Sequence, residues 1–116
     1  MELKCAVQQY QWGKVGKKSL VAELAANGRP DEFCVDGTAP YAELWMGTHP
    51  NGPSMLKGLQ SPSLADHIAK DPKILGEESR KVFGDQLPFL FKVLSVQKAL
   101  SIQVSYIKNC KHFLGC

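Results

Sequence analysis

A lysine stands inside the most apolar segment of the sequence. Residues 88–96 are PFLFKVLSV, and in an extended strand Lys92 shares a face with Leu90 and Leu94. Because a lone ammonium is costly to bury, Lys92 must reach water, meet an acidic partner or face a polar cavity. From the residues alone, a lysine on an edge strand and a lysine that lines a binding site remain equal alternatives.

A carboxylate flanked by aromatic side chains is the second candidate. A strand predicted over 41–48 places Tyr41, Glu43 and Trp45 on one face. Its other face is apolar: Ala42, Leu44 and Met46. Aromatic rings cover the C–H surface of a polyhydroxy ligand, while an acid accepts hydrogen bonds from its hydroxyl groups. A half-exposed position without a ligand is the more common environment for such a glutamate, and Trp12 leaves the same choice open.

Two polar residues at alternate positions form a third candidate. The sequence predicts a hairpin tip at Gln97-Lys98 and a returning strand over 99–105, on which Ser101 and Gln103 share a face. Side chains two residues apart on a strand are well placed to share a metal ion or to line a polar pocket. A strand face turned to solvent has the same pattern and is more common.

Short strands and helices must position these candidates. Strands are predicted at 3–7, 41–48, 54–57 and 89–96, the last buried on both faces because both alternate sets are apolar. Helices are predicted after the N-caps Ser19 and Ser63 and over 74–83, with Gly28 and Gly84 as stops. No regular βαβ alternation or glycine-rich phosphate loop occurs, which argues against Rossmann and P-loop domains. An antiparallel sheet with attached helices is the predicted class.

Composition indicates a soluble globular chain. The 116 residues are 44% hydrophobic and 22% charged, with a net charge of +3. No apolar run approaches the roughly 20 residues of a membrane span, so no membrane partner is expected. The N-terminus lacks the layout of a signal peptide, and a cytoplasmic location is expected. The basic residues form no stripe interleaved with aromatics, so nucleic acid is not an expected partner.

The cysteines do not predict a disulfide framework. They stand at positions 5, 34, 110 and 116 with irregular spacing, in a chain expected to keep its thiols reduced. Cys110, His112 and Cys116 offer soft ligands, but their spacing matches no standard structural zinc motif and a fourth ligand is missing.

Four ordered segments resemble the type I mannose-6-phosphate isomerase family. They are residues 9–14 (QYQWGK), 41–50 (YAELWMGTHP), 87–96 (LPFLFKVLSV) and 100–103 (LSIQ). The resemblance implies a cupin-like β-sandwich, mainly β with short helices, of which this chain carries a part. It also implies interconversion of mannose 6-phosphate and fructose 6-phosphate by a zinc-assisted proton transfer through an enediol, feeding GDP-mannose supply. The expected partner is a sugar phosphate, and the family enzyme is expected to be a monomer.

The resemblance also assigns residues by position. It implies that Gln103 is a zinc ligand and that Trp12, Glu43, Lys92 and Ser101 line the substrate pocket. The family continues this strand as Leu-Ser-Ile-Gln-Ala-His-Pro, whose histidine is a second zinc ligand. Here Ser105 stands two residues beyond Gln103 instead. No residue of this chain is therefore assigned as catalytic.

This departure predicts a boundary at residue 103. Residues 1–103 are expected to form the N-terminal part of the isomerase catalytic domain, and 104–116 a divergent tail. Gln-Val-Ser can be encoded by a splice-donor consensus, so the tail is interpreted as translated intron or a truncated gene model. A single amide ligand cannot hold zinc, which needs about four ligands, and the chain alone is expected to be inactive. The alternative is a non-catalytic product with no activity of its own.

Overall fold

The computed structural model describes residues 1–58 and 62–102. The strands are β1 Leu3–Lys4, β2 Ala6–Gln8, β3 Lys14–Val15, β4 Pro40–Tyr41, β5 Glu43–Met46, β6 Met55–Leu56 and β7 Phe91–Leu94. The α-helices are α1 Leu20–Gly28, α2 Leu64–Lys70 and α3 Glu77–Phe83, with short 3₁₀ helices at Gly16–Lys18 and Pro72–Leu75. The predicted combination of an antiparallel sheet and short helices is therefore observed.

An antiparallel sheet in the order β2-β5-β7 carries the candidate residues. Glu43 of β5 lies opposite Gln8 and Leu94, and Trp45 lies opposite Ala6 and Lys92. Strand β1 pairs with β6, and β3 pairs with β4. The central position of β5 places Glu43 and Trp45 between two strands whose side chains adjoin theirs.

One face of this sheet packs on α1 and forms the core. The buried cluster consists of Val21, Ala22, Ala25, Tyr41 and Leu44. Partly buried residues pack against it: Cys5, Val7, Phe33, Val35, Ala39, Met46 and Val93. Because strand side chains alternate, the residues between these positions lie on the opposite face. Glu43, Trp45 and Lys92 are on that second face.

The predicted strand 41–48 is interrupted at Ala42, and the predicted face of Tyr41 is wrong. Tyr41 belongs to β4 and is 2% exposed in the core with Leu44, whereas Glu43 and Trp45 lie on the other side. The Ala42 N–H donates to the Gln8 carbonyl at 2.9 Å, and its carbonyl accepts from the Ser95 N–H at 2.9 Å. This change of partners between β4 and β5 breaks the alternation that the prediction assumed.

Ser19 is the N-cap of α1, as predicted. Its Oγ accepts from the Ala22 N–H at 3.3 Å and donates to the Tyr41 carbonyl at 2.8 Å, and the residue is 1% exposed. Ser63 caps α2 in the same way, accepting from the Asp66 N–H at 3.0 Å, but its Oγ donates to Asp66 Oδ2 at 2.7 Å within the same turn. Ser19 therefore connects α1 to β4.

Ser19→Ala is expected to lower the free energy of unfolding by about 2–3 kcal/mol, since it removes both a cap and a buried hydrogen bond. Ser63→Ala, the matched control, removes a cap and an exposed hydrogen bond to Asp66, and should cost about 1 kcal/mol. Urea unfolding followed by circular dichroism measures both. Equal losses for the two variants would show that the bond to Tyr41 contributes nothing.

The helical segments largely match their predictions. Helix α1 ends at Gly28 and α3 is followed by Gly84 in a positive-φ conformation, as expected of helix stops. The continuous helix predicted over 74–83 is wrong, because Gly76 adopts φ +80 and separates a 3₁₀ turn from α3. Across residues 1–58 and 62–102, no helix is both long and apolar enough to cross a bilayer.

The observed strands differ from the predicted ones more than the helices do. The predicted strand 3–7 is two strands divided at Cys5, since β1 and β2 pair with different partners. The predicted strand 54–57 is confirmed as β6, and the segment 89–96 forms a strand only over β7. Its burial on both faces is wrong: Phe91 is 57% and Leu94 47% exposed. Within the described residues β7 pairs only with β5, so it lies at the sheet edge.

The predicted hairpin after β7 is also wrong as far as the structure describes it. The N–H groups of Gln97 and Lys98 donate to the Trp12 carbonyl at 2.8 and 3.2 Å, and residues 99–102 belong to no strand. The remainder of the predicted strand, 103–105, lies outside the described residues. The backbone of residues 97–98 therefore bonds to the segment that contains Trp12 and does not form a hairpin with β7.

The thiols at positions 5 and 34 are free. Cys5 is partly buried between β1 and β2, and this burial raises the pKa of its thiol. Cys34 is exposed. Cys110, His112 and Cys116, discussed above as soft ligands, lie outside the described residues.

Candidate functional site: a pocket on the second face of the sheet

A pocket of about 640 Å³ opens on the face of the sheet opposite α1. It is lined by Tyr10, Trp12, Glu43, Trp45, His49, Asn51, Lys92, Leu94, Leu100 and Ser101. The four side chains predicted to bind substrate, Trp12, Glu43, Lys92 and Ser101, are therefore brought into one pocket. Gln103, the predicted zinc ligand, lies outside the described residues.

An ion pair lies on the floor of the pocket. Lys92 Nζ is 3.1 Å from Glu43 Oε2, with side-chain exposures of 38% and 11%. Trp45 lies directly opposite Lys92 across the strands, so Glu43 and Lys92 are a diagonal pair. The cost of placing Lys92 in an apolar strand is thus offset by an acidic partner. The residue lies on an edge strand and lines a cavity, so both alternatives drawn from its sequence hold.

The indole of Trp45 contacts both charges. Its Nε1–H donates to Glu43 Oε2, and Lys92 Nζ lies 4.7 Å from the centroid of its ring. A cation at this distance over an aromatic face is attracted by the ring quadrupole. Glu43, Trp45 and Lys92 therefore form one contiguous polar cluster on adjacent strands.

Aromatic residues from the segment after β2 form a wall of the pocket. The rings of Tyr10 and Trp12 lie 5.9 Å apart at 31°. Gly13 follows in a turn, where its N–H donates to the Tyr10 carbonyl at 2.9 Å, and it bridges to Val96. These backbone contacts hold Trp12 beside the end of β7.

The turn after β5 also lines the pocket, through His49 and Asn51. His49 meets the ring of Trp45 edge-on at 5.1 Å and 79°, and the Asn51 N–H donates to His49 Nδ1 at 3.1 Å. Ser54, fully buried, donates from Oγ to the Trp45 carbonyl at 3.2 Å and accepts from the Gly47 N–H at 3.1 Å. The turn is therefore anchored to the strand that carries Glu43.

Several lining residues were not assigned as site residues from the sequence: Tyr10, Trp45, His49, Asn51, Leu94 and Leu100. A usable signal existed for two of them. His49 and Asn51 belong to the His-Pro-Asn-Gly-Pro turn directly after β5, and a turn at the end of a strand adjoins whatever side chains that strand presents. The aliphatic members carry no such signal, because Leu is as common in cores as in pockets.

The described residues do not by themselves form a metal site. Within residues 1–58 and 62–102, no three His, Cys, Asp or Glu side chains are grouped closely enough to hold a metal ion. A zinc site needs about four nitrogen, sulfur or oxygen ligands. The pocket instead offers a carboxylate, an ammonium, a hydroxyl and aromatic faces, a set suited to an anionic polyhydroxy ligand.

Comparison with known families identifies the chain. The family model for the catalytic domain of type I phosphomannose isomerases matches residues 1–114. The chain belongs to the type I phosphomannose isomerase family. A probable mannose-6-phosphate isomerase of Echinococcus multilocularis is 57% identical over 104 residues, which is 89% of this chain and 24% of that protein. The mannose-6-phosphate isomerase of Schizosaccharomyces pombe is 54% identical over 101 residues, 87% of this chain and 23% of that protein.

Solved phosphomannose isomerases share the fold. The Salmonella typhimurium enzyme bound to fructose 6-phosphate and zinc matches with a TM-score of 0.67 and 39% identity, over 85% of this chain and 23% of that one. A mannose 6-phosphate isomerase bound with zinc and yttrium matches with a TM-score of 0.66 and 40% identity, over 85% and 23%. The cupin-like fold class, present in part, is thereby confirmed. This chain spans about a quarter of the length of these relatives.

Proposed function

We propose that this chain supplies one wall of a sugar-phosphate pocket for the interconversion of mannose 6-phosphate and fructose 6-phosphate. The observation that carries the proposal is the placement of Trp12, Glu43, Lys92 and Ser101 around one cavity in a family whose members are named for this reaction. A solved relative bound to fructose 6-phosphate and zinc supports the same substrate class.

Each residue has a role that follows from its chemistry. The ammonium of Lys92 attracts the phosphate or an oxygen of the sugar, and the carboxylate of Glu43 accepts hydrogen bonds from hydroxyl groups. Trp12 covers the C–H face of the sugar, and the Ser101 hydroxyl donates or accepts a further hydrogen bond. None of these groups is assigned the proton transfer.

Zinc belongs to the proposal only at the level of the longer protein. When bound, it supplies Lewis-acid polarisation of the substrate oxygens. In this chain the single ligand proposed is Gln103, and the side chains of 1–58 and 62–102 do not complete the set. The 116-residue polypeptide, which spans about a quarter of its relatives, is therefore proposed to be inactive on its own.

Tryptophan fluorescence tests the binding part of this proposal. The chain has two tryptophans, Trp12 and Trp45, and both line the pocket. Mannose 6-phosphate is expected to change their emission in a saturable manner, with an affinity that falls as salt is raised. Mannose, which lacks the phosphate, is the matched ligand control and should bind at least about tenfold more weakly, because it loses a charge-assisted contact. A response that is absent, or equal for both sugars, contradicts the proposal.

A coupled isomerase assay on the same preparation tests the inactivity. With zinc added, no turnover above a metal-free control is expected. Turnover that requires zinc would show that this polypeptide completes a metal site, and would contradict the inactivity while supporting the substrate assignment. Determination of bound zinc in the same sample shows whether metal is retained.

The boundary at residue 103 also remains a proposal. We take residues 1–103 as the isomerase segment and 104–116 as a tail of separate origin, on the departure from the family pattern at Val104 and Ser105. Genomic sequence compared with transcripts tests it. A tail encoded by its own spliced exon would contradict the translated-intron origin.

A further inference from the structure

Trp45 contacts both members of the ion pair without being one of them. The residue is 6% exposed, its ring lies under the ammonium of Lys92, and its only side-chain donor is directed at Glu43. We infer that Trp45 is a positioning residue that holds Glu43 and Lys92 in the orientation in which they meet the ligand. This inference rests on the proposed function of the pocket and deepens it.

The carboxylate of Glu43 is used asymmetrically. Oε2 receives both the Trp45 Nε1–H and the Lys92 ammonium. Oε1 makes no hydrogen bond within the described residues, and no side-chain oxygen or nitrogen there is buried without a partner. Glu43 lines the pocket, and Trp45 and Lys92 both engage its Oε2, so Oε1 is the oxygen that we assign to a ligand hydroxyl.

The ammonium of Lys92 is constrained from two directions. It has three N–H donors, and one of them faces Glu43 Oε2 at 3.1 Å. The face of Trp45 at 4.7 Å limits how far the side chain can turn toward the sheet. Within residues 1–58 and 62–102 this ammonium has no other acidic partner, so donors remain for the oxygens of a phosphate or a sugar. A long, flexible lysine is thus ordered before the ligand arrives, which lowers the entropy lost on binding.

Close contacts also restrict the position of the Trp45 indole. A Cβ added to Gly52 would lie 3.1 Å from Trp45 Cε3 and 2.7 Å from Gln8 Nε2, so the turn backbone packs closely over the ring. The edge-on contact with His49 and the Ser54 bond to the Trp45 carbonyl restrict it further. A phenylalanine at this position would keep an aromatic face but would offer no N–H to Glu43.

An isosteric replacement separates the donor from the packing. Replacing Trp45 by β-(3-benzothienyl)alanine, introduced by semisynthesis of the 116-residue chain, keeps the bicyclic ring and removes only the Nε1–H. In ligand-free protein, NMR resonances of the Lys92 methylenes next to the ammonium report its place over the ring through ring-current shifts. We expect these resonances to move toward their random-coil positions in the variant, because Glu43 is no longer held. Unchanged Lys92 resonances would overturn the inference.

Ligand titration is the second readout. The affinity for mannose 6-phosphate is expected to fall about tenfold in the isostere, as for loss of a hydrogen bond to a charged group. In a Glu43→Leu background, which offers no acceptor to the Trp45 N–H, the same replacement should have little further effect, because its action passes through the carboxylate. If the replacement of Trp45 lowered the affinity by the same factor in the Glu43 variant as in the parent chain, the positioning role would be overturned. Lys92 resonances that move in a chain that binds no sugar phosphate would support the positioning and overturn the proposed function.

Discussion

Lys92→Met is expected to weaken the binding of mannose 6-phosphate roughly 10- to 100-fold, because it removes the charge-assisted contact that we propose between this ammonium and the phosphate. Methionine keeps an unbranched apolar stem on β7, so the packing of the strand is retained. The substitution removes only the ammonium, which lies 3.1 Å from Glu43 in a residue that lines the pocket. Tryptophan fluorescence titration measures the affinity, and it should fall far less for unphosphorylated mannose.

Lys98→Met is the matched control. Lys98 is an exposed lysine six positions further along the chain, and it is not among the residues that line the pocket. The two variants have the same net charge, so a nonspecific effect of charge would appear in both. We expect Lys98→Met to keep an affinity within about twofold of the parent chain, as for a screened surface charge. Equal losses of affinity in the two variants would contradict the assignment of Lys92 to the binding site.

Gly13→Ala is expected to lower the free energy of unfolding by about 3 kcal/mol, the upper range for an overpacked site. A Cβ at Gly13 would lie 2.7 Å from both the Cα and the N of Ala42. These are backbone atoms, so no rotamer change relieves the contact. The Ala42 backbone is itself bonded on both sides, to Gln8 and to Ser95. The strain must therefore displace the Trp12 segment or the start of β5.

Gly28→Ala is the control for Gly13→Ala. An added Cβ at Gly28 meets nothing within 4 Å, and the residue is the last of α1. Removing glycine there reduces the entropy of the unfolded chain and is expected to change stability by no more than about 1 kcal/mol, in the stabilising direction. Urea unfolding compares the two. A Gly13→Ala chain as stable as the parent would contradict the close packing of the Trp12 segment on Ala42.

Local signals predicted local structure well. The caps at Ser19 and Ser63 and the stop at Gly84 depend on hydrogen bonds and dihedral angles within a few residues, and the structure has each of them. The helix predicted over 74–83 failed for an equally local reason, since glycine at position 76 permits the positive φ that interrupts it. Apolar pattern alone does not report such a break.

The burial of side chains was predicted less well than the helix caps and stops. The segment around β7 is apolar on both faces, yet Phe91 and Leu94 are largely exposed. Tyr41 was assigned to the face of Glu43 by alternation, but the change of partners at Ala42 turned it into the core. Both errors have one cause. Burial depends on which segments come to lie on a face, and this is a property of distant parts of the chain.

By itself, the sequence determined the class of the protein and the identity of its polar candidates. The ordered segments at 9–14, 41–50 and 87–96 led to the isomerase family, and Glu43 and Lys92 were selected because charged groups in apolar strands need partners. Only the tertiary structure decided that they partner each other, with Trp45 of β5 as donor and support. Strand register makes that pairing, and register is set by contacts between segments almost fifty residues apart.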